Sequence, residues 1–332
     1  MGKKARRAAE LRTAATRRDL DPAVLAEASP RQPCPCGSEK RFRLCHGKDT
    51  ARSAQALVQR PFEGLSFECD LIALREFVPA ATAELTLTGE YANGVKKAVA
   101  ATILPMALPA MRREDGTVLL GLRTRSNSGD VSRDLAHALL TACEAEAGQQ
   151  LDFTDLPGPG PRLQDVLDPK GELKVVVHER FDFWLAEDVQ LDDHANAAME
   201  EANSTIIPTA RLASVDSSGS EGAAYWCQAN ERNHLRWVMP YPESQLLDAL
   251  ARLHAANQLA VGPDTRFVGS FRAHGLLVPV WDLPASTGVD EVEEPAAAFG
   301  QRLRQALSET APLTTEERRA RNGLLSRQIT VR

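Results

Sequence analysis

Cysteine, aromatic side chains and long apolar runs are all scarce in this chain. Its 332 residues hold six cysteines, and 5% of the residues are aromatic. Three of the cysteines fall between positions 34 and 45, whereas a disulfide-stapled secreted protein spreads them more evenly. The longest apolar-looking stretch, residues 98–111, is cut by Pro105 and Pro109. A membrane-spanning helix needs about 20 apolar residues in succession. The first eighteen residues begin with charge but lead into no apolar segment, so no secretory signal is expected, and Arg6 breaks the myristoylation pattern. A phosphate-binding G-x-x-x-x-G-K-[ST] loop is missing too; the nearest, Gly89 to Lys96, lacks a lysine directly after its second glycine. The expected compartment is the cytoplasm.

What is present is ordinary globular composition, 43% apolar and 25% charged, with enough length for about two domains of ~150 residues. The net charge of −6 conceals an asymmetry. Residues 1–60 carry 14 Lys and Arg against 6 Asp and Glu, while residues 61–332 carry 25 against 39. A basic leader is therefore joined to an acidic body, and polyanion contact is expected only in the first 60 residues. Arg outnumbers Lys 31 to 8, which reads as the codon bias of a GC-rich genome.

Residues 1–30, polar and rich in Ala and Arg, are expected to form a basic flexible tail. Residues 31–48 form a small cysteine-containing unit and residues 49–62 a linker. Residues 63–332 read as an α+β domain in which strand, strand, helix recurs about four times, giving antiparallel sheets with packed helices. The expected strands include 83–88, 117–122, 173–177 and 181–185. Hairpins are expected at 224–239 and 265–281, and helices at 132–146, 193–203, 242–256 and 291–307. Thr314-Thr315-Glu316-Glu317 fits a capping box that opens a last helix. The breaker run Asp155 to Pro161 marks a candidate division into two subdomains near 152–172. Trp184, Trp237 and Trp281 each stand at or near the end of a second strand, as a bulky aromatic does when it closes a sheet against the next helix.

The most specific stretch runs from Cys34 to Gly47, with ligand spacing Cys-x-Cys-x8-Cys-His. Three thiolates and an imidazole, Cys34, Cys36, Cys45 and His46, fill a tetrahedral zinc site at about 2.3 Å for sulfur and 2.0–2.1 Å for nitrogen. With all four positions taken, the ion is structural and has no open place for water activation. Lys40, Arg41 and Arg43 offset the formal charge of −1, and Phe42 supplies an apolar lid.

This stretch resembles the SEC-C motif, the zinc-binding element at the C-terminus of the SecA translocase ATPase and in several unrelated bacterial proteins. It matches all four ligand positions and keeps Pro35, Gly37, Ser38, Lys40, Phe42 and Gly47. Glu39 stands where that motif usually has glycine. The resemblance implies docking, since the motif contacts the SecB chaperone and ribosomes. The body from Pro61 to Arg332 is similar to an actinobacterial family of unknown function. The phrases carrying this likeness are Pro61 to Leu65, Leu74 to Ala80, Ser128 to Asp134 and Phe267 to Gly275.

Other constellations are less specific. Asp192, Asp193 and His194, with Glu200 and Glu201, suit a metal or, more simply, a solvated helix face whose acids meet the N-terminal dipole. Ser270 and His274 stand near Asp282 if the hairpin brings them together, yet no G-x-S-x-G elbow supports a serine nucleophile. His254, in register with Leu247 and Leu250, reads as a core histidine. Cys69, Cys143 and Cys227 read as poorly activated thiols. The expected protein is a zinc-binding, non-enzymatic adaptor that contacts a ribosome, RNA or a chaperone or translocation partner through residues 1–48. The alternatives are an enzyme using Ser270, His274 and Asp282 or Asp192, Asp193 and His194, and a protein-binding scaffold.

Overall fold

A computed structural model describes residues 31–36, 38, 40–45, 57–92, 94–102, 109–123, 128–151, 157–185, 190–215, 222–229 and 232–327. The expected tail 1–30, residues 49–56 of the expected linker and His46 lie outside these.

The described body is α+β, with two sheets. The first has six strands: β1 (Ala81–Leu85), β2 (Lys97–Ala101), β3 (Ala110–Arg112), β4 (Thr117–Gly121), β5 (Gln150–Leu151) and β6 (Val175–Val177), in the order β5-β3-β4-β2-β1-β6. A hairpin forms between β3 and β4. It folds back so that β4 lies beside β2, which makes β2–β4 the one parallel pair in the described sheets. The second sheet is antiparallel throughout, in the order β10-β11-β9-β8-β7. Its strands are β7 (Thr209–Arg211), β8 (Ala223–Ala229), β9 (Arg232–Val238), β10 (Arg266–Ala273) and β11 (Leu276–Leu283). The chain passes from one sheet to the other between β6 and β7, downstream of the proline–glycine run, and β6 returns after that run to pair with β1.

Helices fill the spaces between and outside the sheets. Helix α1 (Glu68–Glu76) is buried from Glu68 through Leu74, because it lies between the inner faces of both sheets. Helix α2 (Val131–Glu144) packs on β4 and β3, its first turn capped by Asp130, which accepts from the Ser132 N–H at 3.2 Å. A short helix, α3 (Leu163–Val166), seals one end of this layer. The far side of the second sheet carries α5 (Glu243–Ala255), α6 (Asp290–Ser308) and α7 (Thr315–Leu325). Trp237 and Trp281 meet Phe299 of α6 at ring distances of 5.8 and 5.1 Å, so both tryptophans close the sheet against helices as the sequence suggests. The capping box at Thr314 forms in full: its N–H reaches Glu317 at 2.7 Å, and its hydroxyl accepts from the Glu317 N–H at 3.2 Å.

The third tryptophan behaves differently. Residues 181–185 do not form the expected strand; residues 182–184 make a 3₁₀ turn. Phe181 and Trp184 are both buried in one cluster on the outer face of the first sheet, and a spacing of three brings two side chains to one side of a helical turn. A strand would have pointed them apart. Helix α4 (Asp193–Ser204) adds Met199 and Ala202 to that cluster.

Candidate metal centre

Residues 31–45 fold back on themselves without a sheet or long helix to support them. Pro33 and Arg41 bridge as antiparallel partners. The Phe42 N–H reaches the Gln32 carbonyl at 2.7 Å, and the Cys34 N–H reaches the Lys40 carbonyl at 2.8 Å. The return arm ends in a 3₁₀ turn, Phe42–Leu44, which sets Cys45 beside the first two cysteines. Cys34, Phe42 and Cys45 form the buried centre of this unit, with Cys36 packed against it, so Phe42 does act as the apolar lid.

The three sulfurs lie within 4.8 Å of one another. Cys36 and Cys45 are 3.5 Å apart, none of the three is in a disulfide, and the Ser38 hydroxyl donates to the Cys45 sulfur at 3.2 Å. A tetrahedral ion with sulfur bonds of about 2.3 Å requires sulfurs about 3.8 Å apart. The spacing therefore suits a metal with three thiolate ligands and is far longer than a disulfide bond of about 2.05 Å. Burial raises the Cys36 thiol, but hydrogen bonds from Ser38 and Cys34, then Cys45, outweigh it and bring it down from 9.0 to about 6. A thiol so poised is easily converted to the thiolate that binds metal. Among the described residues no other His, Cys, Asp or Glu group draws three ligand atoms this close.

Two family models match, in series. Residues 31–48 match the SEC-C motif, a span that includes His46, and residues 61–332 match a family of unknown function, DUF5926. The chain belongs to the DUF5926 family. Neither a curated protein nor a solved structure matches it. The α+β body is thus the DUF5926 region, and the three-thiol cluster lies in the motif that precedes it. No helix among the described residues is long and apolar enough to cross a membrane.

The other sequence candidates are dispersed within the DUF5926 region. Ser270 is opposite Pro279 in mid-hairpin, His274 is in the turn, and Asp282 is opposite Arg266 at the far end. Strands advance about 3.3 Å per residue, so His274 and Asp282 are separated by most of the hairpin's length. Each has a different partner. His274 Nε2 meets Glu76 at 2.8 Å, Asp282 pairs with Arg266 at 2.8 Å and His234 at 3.1 Å, and the Ser270 N–H donates to the Arg327 carbonyl. The expected Ser270–His274–Asp282 grouping does not form. Asp192 caps α4 by accepting from the Ala195 N–H at 2.8 Å, while Asp193 and His194 are exposed in its first turn, as on a solvated face. His254 is exposed rather than in the core, because Leu253 takes the inward position in the last turn of α5.

All three thiols of the body are held up by burial, Cys69 most strongly, with Glu68 and Asp70 adding to it. The polar contacts around α1 escaped sequence reasoning altogether. Glu68 receives Arg60 at 2.8 and 2.7 Å, and Asp70 receives Arg211 at 2.9 and 3.2 Å. Acids in a segment as apolar as Glu68-Cys69-Asp70-Leu71-Ile72 were the available signal, since buried charges require partners.

Proposed function

We propose that residues 31–48 hold one structural zinc ion through Cys34, Cys36, Cys45 and His46, and that this module docks an adaptor protein onto a ribosome or a chaperone or translocation partner. The convergence of three thiols at tetrahedral spacing supports the metal reading. Their softness favours zinc over magnesium or calcium, which prefer oxygen ligands. A unit whose buried centre is three side chains gains most of its folding free energy from the metal.

The docking reading rests on the SEC-C match together with charge. Seven Lys and Arg precede the module in residues 1–18, and Lys40 and Arg41 are exposed on it. In this layout residues 1–30 are a basic tail, 31–48 the zinc module, 49–62 a linker and 63–332 the body of a non-enzymatic, cytoplasmic protein. Contact with RNA would be through phosphates and so sensitive to salt.

Two measurements test these claims. Metal analysis of protein purified without chelator should give about one zinc per chain, lost in the Cys34→Ser, Cys36→Ser double variant; metal-free protein would refute the site. Sedimentation with ribosomes at low and moderate salt should decline when residues 1–48 are removed. Equal sedimentation of both forms would refute docking while leaving the zinc site intact.

A further inference from the structure

We infer that the outer face of the first sheet carries a binding cleft for a small molecule with one anionic group on an apolar body. This face is only half roofed. The register partners Val99 and Leu119 share a buried cluster with Phe181 and Trp184, whereas Lys97 and Thr117, the next partners on the same face toward the start of this parallel pair, stand beyond the roof. At the step between roof and open face is a cleft of about 690 Å³. Sites for small ligands commonly enclose about 300–1,000 Å³.

The walls of the cleft separate by chemistry. Val99, Leu119, Phe183 and Leu185 form the apolar side. The Phe183 ring is held in place by His178, 4.8 Å away between ring centres, and His178 is itself anchored by Thr82, whose hydroxyl is 2.8 Å from its Nε2. On the polar side are two carboxylates, Asp115 and Asp182, and two cations, Lys97 and Arg113. Asp115 accepts the Thr117 N–H at 2.7 Å, and Asp182 accepts Arg180 Nε at 2.8 Å. Among the described residues Lys97 has only a loose contact with Glu84, at 3.9 Å and with both side chains more than half exposed. Arg113 donates from Nη2 to the Phe183 carbonyl, and its Nε is buried with no partner among the described residues. A loosely paired lysine and an arginine beside an apolar wall match an anion attached to a hydrophobic group.

The test is calorimetric titration of the full chain with benzoate and phenyl phosphate, with benzyl alcohol and inorganic phosphate as controls. Saturable binding of one site per chain is expected for at least one aromatic anion, with both controls weaker. Lys97→Gln, on an exposed strand end, should raise the dissociation constant about tenfold without altering the melting temperature. Arg113→Gln should act in the same direction. Failure of both aromatic anions to saturate, or equal affinity in wild type and Lys97→Gln, would overturn the proposal. Benzyl alcohol binding as tightly as the anions would also overturn it. None of these readouts depends on the zinc module, so the two readings fail separately.

Discussion

The Tyr225 hydroxyl donates to the Asp70 carboxylate at 2.6 Å, joining β8 to α1 where both side chains are fully removed from solvent. Arg211 of β7 completes the arrangement from its more exposed end. A carboxylate in that position is tolerable only because it receives three hydrogen bonds, two of them from a cation. Asp70→Ala strands the Arg211 charge and should cost about 3–5 kcal/mol. Tyr225→Phe removes one bond and should cost about 1–2 kcal/mol. Urea unfolding of both variants and of the double variant measures this. Independent, additive effects would contradict the coupling described here.

Acid should destabilise the body in two stages. Burial lowers His178 and His234 below their usual 6.5, with the Asp282 carboxylate opposing this at His234. Their contribution is therefore present above about pH 6.5 and lost as pH falls through the depressed folded values. Glu76 lies below its usual 4.5 chiefly through its hydrogen bond with His274, and Glu243 through that with Arg272. Their contribution persists to lower pH and goes as pH falls below about 4.5. Melting temperature should decline from pH 7 to 5, then more steeply. A His178→Gln, His234→Gln variant should flatten the first stage; an unchanged first stage would exclude these two residues as its source.

Thiol reactivity should divide the six cysteines into two sets. Burial holds Cys69, Cys143 and Cys227 up, so they should react slowly with a disulfide reagent in the folded protein. Chelation of the zinc-loaded chain should release Cys34, Cys36 and Cys45 to the reagent, detected by mass spectrometry. Fast labelling of Cys69 in the folded, chelated protein would show that α1 opens more readily than its burial implies.

The β10–β11 turn, His274-Gly275, has φ of 47° and 83°, the left-handed pair of a two-residue hairpin. A Cβ at Gly275 would come within 2.8 Å of the Gln59 carbonyl and 3.0 Å of Arg60 Cβ. Gly275→Ala combines backbone strain with that clash and should cost about 1–2 kcal/mol or more. A neutral result in thermal unfolding would mean that residues 59–60 move away freely.

Much of the body was readable where a signal spans few residues. Thr314 and Glu317 show their cap at a spacing of three, and the 224–239 and 265–281 hairpins show theirs by apolar runs around a short turn. Phe181 to Leu185 misled because a run of aromatics fits strand or helical turn equally, and the choice fell to the sheet face that both Phe181 and Trp184 had to cover. His254 misled because register with Leu247 and Leu250 continues only while a helix has another turn to pack.

Cys34, Cys36, Cys45 and His46 are recognisable from the chain because a chelating set within thirteen positions is defined by residue type and spacing. The charge division between leader and body is likewise a matter of composition. Asp70 and Tyr225 are 155 positions apart, and Glu76 and His274 are 198 apart. The cleft beside Phe183 draws its walls from three strands, the β3–β4 connection and a 3₁₀ turn. These arose when two sheets closed on α1 and half of an outer face was left bare. Periodicity in a sequence reveals which face of an element is apolar; which element then covers it depends on how the layers stack, and that is a property of the whole fold.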